Sequence, residues 1–410
     1  MLCLKWFNTS LIVKTKKLLG YEQLEGPIMN MPDLVMRKIM ENVDFITMLK
    51  LRKVCHAFRN FIDETKLDND LVQVNINVRP SAIYATIYFN SQYEQSVNFY
   101  YIRYGNNCLL KVTEGGNEEA KFIKNLDPAD AFFNDFGVIL RNQSKPLENM
   151  KIEKWSYDWY TGEHYDLDVI NSLQASSSIY GWCTSSRPLE DFYEIHDHLS
   201  KINDKYAMQP IADKFHDCFD CILKSRESLI PIQTLEIEVS RPSYFLNMVR
   251  LIDVKQLEGI VISKAYEKKN EEDGKQLDLN EIVELDVFKY IQKLNISDFK
   301  VSVPLETFLH IPNLRVSVST ITIEDILLIK KNMITSPTAR SRRVYYDHIK
   351  DEDTITNTLG HANPDNIKLH WYFKLPESDQ TLQISKENYD SCFSFTWTKT
   401  VWIPKYAVVY

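Results

Sequence analysis

Residues 284–337 read ELDVFKYIQKLNISDFKVSVPLETFLHIPNLRVSVSTITIEDILLIKKNMITSP and alternate between two periodicities. Leu294-Asn295-Ile296 and Leu314-Arg315-Val316-Ser317-Val318 set apolar side chains at every second position, the period of a strand. Around them, residues 305–310 read as a short helical turn, and 280–290 and 323–334 as helices. The last carries Ile323, Ile326, Ile329 and Met333 on or near one face. Glu324-Asp325 at its start suit the positive end of a helix dipole.

The same unit recurs upstream. A helix near 211–225 presents Phe215, Cys218, Phe219, Ile222 and Leu223, and the strand 234–239 follows it. A helix near 244–252 precedes the strand 257–262. Further back, Pro128 opens a helix with Phe132, Phe133, Phe136, Ile139 and Leu140 inward, and residues 147–152 follow as an extended segment. Short helix-plus-strand units repeated in this way predict a leucine-rich-repeat-like stack. An ordinary α/β sheet with parallel strands gives the same alternation. The fold class is therefore α+β or α/β.

Flanking regions have another texture. Residues 71–78, 83–89 and 97–104 alternate with period two, and Asn90-Ser91 and Gly105-Asn106-Asn107 supply turns, which predicts a small antiparallel meander over 71–113. Residues 155–209 carry Trp155, Tyr157, Trp159, Tyr160 and Tyr165, then Ser176-Ser177-Ser178, and read as an insertion. Residues 265–275 read as a charged surface loop. The tail is β-rich at 367–375, 381–384 and 392–403, and is expected to cap the stack's last apolar face rather than to continue its sheet.

Near the N-terminus, MPDLVMRKIMENVDFITMLKLRKVCHAFRNFID (residues 31–63) reads as two amphipathic helices. Met36, Ile39, Met40 and Val43 share a face of the first, with Pro32 in its first turn. Leu51, Val54, Cys55, Phe58, Phe61 and Ile62 form a continuous stripe on the second, with Thr47 as its N-cap. Met31, Pro32, Met36, Ile39, Val43, Leu49, Val54, Cys55 and Phe58 stand in an order that resembles an F-box. That resemblance implies a module docking a Skp-type adaptor of a cullin–RING ubiquitin ligase. Leu34 stands where that family usually has an acidic residue, and Met31 and Val43 replace leucines; these departures imply weakened docking. A second resemblance lies in residues 284–337, through Lys293-Leu294-Asn295-Ile296, Val303-Pro304-Leu305-Glu306 with Phe308-Leu309, and Ile321, Ile323-Glu324-Asp325 and Leu327. These are similar to the FTH domain that follows an F-box in the nematode F-box A family. The two together imply a substrate receptor whose C-terminal part holds a protein partner.

Composition bounds the alternatives. The chain has 410 residues, 44% hydrophobic and 25% charged, with a net charge of −8, so a broad basic footprint for nucleic acid is not expected. Seven scattered cysteines fit a reducing compartment rather than a disulfide frame, and eleven glycines make a glycine-rich phosphate loop unexpected. No run of about 18 apolar residues occurs. Lys5, Lys14, Lys16 and Lys17 break up the start of the chain, so residues 1–28 read as a poorly ordered leader, with Met29 and Met31 as alternative starts.

Chemistry-bearing groups are sparse. Cys218-Phe219-Asp220-Cys221 with His216, and His196 with His198, bring metal or redox chemistry to mind. However, Cys218 lies on an apolar stripe and no second Cys-x-x-Cys completes a site. Cys183, after Gly181-Trp182, is the nearest approach to a nucleophile setting. Arg342 and Arg343 beside Tyr345 and Tyr346 form a basic-aromatic cluster that offers a partner contact or a solvated turn.

The expected organisation is a leader (1–28), an F-box (29–68), a β-rich linker domain (69–126) and a first helix–strand unit with the insertion (127–204). An FTH-like repeat domain (205–345) and a β-rich cap (346–410) complete it. The expected function is non-catalytic substrate recognition in an SCF-type ligase, without cofactor or metal, in cytoplasm or nucleus. Its partners are a Skp-type adaptor, through it a cullin, and an unidentified protein substrate, with no membrane. The adaptor-binding residues are Met31, Pro32, Met36, Ile39, Met40, Val43, Leu49, Val54, Cys55 and Phe58. The alternative is an RNA- or ribonucleoprotein-associated adaptor acting through the FTH-like part.

Overall fold

A computed structural model describes residues 31–410 apart from 44, 55, 66–70, 90–95, 105, 155–182, 185–210, 240, 241, 265–285, 365, 366, 376, 377 and 388–390. The leader, most of the aromatic insertion with His196 and His198, the loop at 265–275, and Cys55 lie outside the described residues.

Three helices come first: α1 (Asp33–Met40), α2 (Phe45–Arg52) and α3 (His56–Thr65). Met36, Ile39, Met40, Met48, Leu51, Phe58 and Ile62 close a small core of their own. The sequence predicts one long helix after residue 47; the structure has two. Amides of Lys53 and Val54 turn back to the carbonyls of Lys50 and Leu51, an i→i−3 tightening that ends α2. Thr47 accordingly lies inside the first turn of α2, not at an N-cap, and Pro32 sits just before α1.

The body is one mixed sheet of sixteen strands among the described residues. Its first five are β1 (Gln73–Val78), β2 (Ala82–Tyr88), β3 (Ser96–Tyr104), β4 (Asn107–Glu114) and β5 (Asn117–Ile123), an antiparallel meander two strands longer than expected. The two-residue β7 (Cys183–Thr184) pairs with β5 at that edge. On the other side of β1 lie β6 (Leu147–Lys154), β8 (Ile232–Val239), β9 (Gly259–Lys264), β10 (Lys293–Lys300), β11 (Asn313–Ile321) and β12 (Ser341–Ile349). All six run parallel and in chain order. The connections between parallel strands return over one face, as α4 (Pro128–Asn142) does between β5 and β6. They include α5 (Ile211–Lys224), α6 (Pro242–Val249) and α7 (Ile323–Thr335). The short helical turn read at 305–310 is a 3₁₀ turn, Leu305–Phe308, and the described part of the helix read at 280–290 holds another, Asp286–Lys289.

Strand burial alternates as period two requires. Val74, Ile76, Met150, Ile152, Leu235, Ile237, Ile260, Ile262, Leu294, Ile296, Leu314 and Val316 point under the helices. Phe132 and Phe136 of α4 stack at 4.5 Å, and Phe136 meets Phe99 of β3 edge-on. Asp127 caps α4 by accepting from the Ala129 amide, and α7 opens with a capping box between Thr322 and Asp325.

The C-terminal strands correct the expected cap. The strand β16 (Cys392–Lys399) pairs antiparallel with β12 and continues the same sheet through β15 (Gln380–Glu387), β14 (Lys368–Lys374) and β13 (Asn363–Pro364), with α8 (Ile355–Leu359) before them. What needed covering was the open hydrogen-bonding edge of β12, not an apolar face. The outer edge of β14 is covered in two halves. Its start pairs with β13, while farther along Tyr372 accepts from the Tyr410 amide and the Lys374 amide donates to Tyr410.

Candidate functional site: the helical unit and its seat on the sheet

The predicted adaptor-binding residues divide by burial. Met36, Ile39, Met40 and Phe58 form the interior of the helical unit, and Met31 and Val43 pack half-buried against it. Leu49 turns the other way: with Ile46 it enters the main core of the sheet body. Pro32 and Val54 stand exposed, Val54 by 39% because the turn ending α2 lifts it off the predicted stripe. Leu34, 79% exposed on α1, is an apolar side chain that stripe reading passes over. Its signal lay in the sequence, since it falls off the Met36–Ile39–Met40–Val43 face and has no interior to enter.

Polar contacts fix the unit to the body. Arg52 Nε and Nη2 grip the Asp63 carboxylate at 2.6 and 3.0 Å, while Nη1 donates to the Asn134 carbonyl of α4 at 2.5 Å. Lys53 Nζ lies 2.9 Å from Asp135 Oδ2, and the Tyr101 hydroxyl of β3 donates to the same oxygen at 2.9 Å. Burial, followed by the Asp135 charge, pushes the Tyr101 phenol well above its ordinary range. Lys50 reaches Glu119 of β5 at 3.2 Å. Lys50, Arg52 and Lys53, at and just after the end of α2, thus hold the helices on α4 and the meander and form an internal joint.

The basic-aromatic cluster is not a turn. Residues 341–349 are β12, and Arg342 is fully buried on the helix-bearing side. Its Nη1 donates to the carbonyls of Pro312 (2.5 Å) and Ser341 (3.1 Å). Its Nη2 donates to the Leu309 carbonyl (2.9 Å) and Asn332 Oδ1 (3.2 Å). Desolvation lowers its pKa to about 10, which leaves it charged at neutral pH. Arg342 is therefore withdrawn from the surface contact the sequence suggests, whereas Arg343, its neighbour on the opposite face, is exposed.

The described groups that suggested metal or redox chemistry lie on α5. Cys218 is half-buried and Cys221 exposed on α5, and burial raises the Cys218 thiol. His216 stacks on Tyr244 at 4.1 Å beside a cleft of about 60 Å³ lined by Ile152, Phe219 and Met248. That is far below the several hundred Å³ typical of a small-molecule site. Among the described residues no group of three or more His, Cys, Asp or Glu is placed to hold a metal ion. No described helix is long and apolar enough to cross a membrane.

Comparison with known proteins fits these two regions. Residues 28–70, which span the helical unit, match the F-box domain, and residues 213–362, from α5 to the approach to β13, match the FTH domain. The second match begins later and ends later than the 205–345 read from sequence. No curated protein and no solved structure matched the chain. The chain carries an N-terminal F-box domain followed by an FTH domain.

Proposed function

We propose that this protein is a non-catalytic substrate-recognition subunit of an SCF-type ubiquitin ligase, working in the cytoplasm or nucleus. Its F-box would dock a Skp-type adaptor, and through it a cullin, while the sheet body holds a target protein. The observation that carries this reading is the F-box match itself, on a self-cored helical unit seated firmly on a much larger domain. A rigid seat suits a receptor, because a target must be held at a fixed place relative to the ligase. The contact residues we assign are the exposed Pro32, Leu34 and Val54 with the half-buried Met31 and Val43 at their margin. Met36, Ile39, Met40, Leu49 and Phe58 act by shaping that surface. The chain-ordered parallel run from β6 to β12 supports reading this part as a leucine-rich-repeat-like stack, with the described helices on one face of its sheet. The test is co-purification of the full chain with a Skp-type adaptor and a cullin. Recovery of both supports the reading, and absence of adaptor from a folded preparation contradicts it.

A further inference from the structure

The described helices cover one face of the parallel strands, and the opposite face carries a register of side chains that is polar except at Val261. Across it Asn75 pairs with Lys151, Lys151 with Glu236, Glu236 with Val261, Val261 with Asn295, Asn295 with Arg315, and Arg315 with Arg343. One step along the strands, Glu153, Glu238 and Tyr345 lie in the adjoining row, with Glu238 beside Ser263. Charge is segregated along this surface. Glu153, Glu236 and Glu238 gather on β6 and β8, where Lys151 is already engaged by Glu153 at 2.5 Å. Arg315 and Arg343 stand on β11 and β12, with the Arg315 guanidinium over the Tyr345 ring at 4.9 Å.

The two groups are kept apart by the sheet. Strands lie about 4.8 Å from their neighbours, so β8 is about 14 Å from β11 and about 19 Å from β12. No side chain spans that gap. Among the described residues, none of Glu236, Glu238, Arg315 and Arg343 forms an ion pair. Asn149 Oδ1, Asn295 Oδ1 and Arg315 Nε, all on this face, are buried without a hydrogen-bond partner. A surface with unpaired charges of both signs and unused polar atoms beside and between them has the form of half an interface. Burial, then the Glu153 and Asp298 charges, raise the Glu238 carboxyl against the Lys154 amide and Lys151, so a cation laid over it would favour its charged form.

We infer that this open face binds an extended polypeptide segment laid across the strands, with a Lys or Arg over Glu236 and Glu238 and an Asp or Glu over Arg315 and Arg343. At about 3.3 Å per extended residue, 14–19 Å corresponds to charges about four to six positions apart, in either chain direction. The inference rests on the receptor reading only in naming that segment as part of the target. Its chemistry follows from the face alone.

The experiment selects a displayed library of random sixteen-residue peptides on the full-length chain and measures the enriched peptides by fluorescence polarisation. Enriched sequences should pair a basic with an acidic residue at the stated spacing. Affinity should fall about tenfold or more in a Glu236→Gln/Glu238→Gln double variant, and similarly in Arg315→Gln/Arg343→Gln, without a loss of melting temperature that would signal misfolding. Inserting four residues between the charges should have the same effect. Glu236→Lys/Glu238→Lys should recover peptides in which the basic residue is replaced by an acidic one. No enrichment, enrichment without the spacing, or binding indifferent to these substitutions overturns the inference. So does displacement of the peptides by a mixed-sequence single-stranded RNA whose own binding ignores Glu236 and Glu238. The same preparation is passed over immobilised Skp-type adaptor. Adaptor capture without peptide selection overturns the face alone, and peptide selection without capture overturns the F-box reading alone.

Discussion

Lys53, in the turn that ends α2, places its ammonium 2.9 Å from the carboxylate of Asp135, a residue of α4 only 4% exposed. This contact joins the F-box helices to the sheet body, and its partners have different access to water. Lys53 can still reach solvent, while Asp135 depends on Lys53 and the Tyr101 hydroxyl. Lys53→Met should therefore destabilise the fold by about 2–4 kcal/mol by leaving a buried carboxylate without its counter-charge. Adding Asp135→Asn should return much of that loss, because neither charge then remains. Urea unfolding of the two single variants and the double variant reads the coupling.

Arg342 makes a contrasting prediction. Four hydrogen bonds tie it to the turn at Leu309 and Pro312, to its own strand and to α7. Arg342→Ala should cost about 3–5 kcal/mol, because it opens a cavity and orphans buried carbonyls. Arg343→Ala, on the exposed face, should change stability by no more than about 0.5 kcal/mol. Thermal melts of the two neighbours should thus differ widely although their side chains are identical.

Glu238 sets a pH dependence. Burial, and then the Glu153 and Asp298 charges, raise its carboxyl from 4.5 to about 7, against the Lys154 amide and Lys151. The folded state thus binds this proton more tightly than the unfolded chain, so stability from this group falls as pH rises from about 4.5 through about 7. Solvent screening at this half-buried site limits the cost to about 1 kcal/mol at pH 8. Glu238→Gln still accepts from the Lys154 amide. It should be more stable than the parent by about that amount at pH 8 and equal to it near pH 4.5, measured by denaturant midpoints.

Much of the body was legible because strand and helix periods differ. Leu294, Ile296, Leu314 and Val316 fall on the strand period in the sequence, and all four are buried. The acids Glu324 and Asp325 were read as a helix start, and Asp325 closes the capping box with Thr322. What failed depended on hydrogen bonds between distant segments. Nothing local says that residues 392–396 pair with 341–345, so the tail reads as a cap. Arg342 looked like a surface cation because its acceptors, at Leu309 and Pro312, are about thirty positions away. In the F-box, the apolar stripe carried through Val54 because periodicity does not register a single tightened turn. The Lys53–Asp135 pair leaves no mark on local sequence, because its partners lie 82 positions apart.

The central claim concerns adaptor docking, and binding of a purified Skp-type adaptor to the full chain tests it most directly. The account predicts measurable affinity for the parent. Leu34→Asp and Val54→Asp should each weaken it about tenfold or more without lowering the melting temperature, because these side chains are exposed. Ile39→Asp should instead lower both, because Ile39 lies inside the helical unit. Adaptor binding by the parent that survives Leu34→Asp and Val54→Asp combined in one folded chain would contradict the assigned surface. No binding by the folded parent would contradict the proposed function itself.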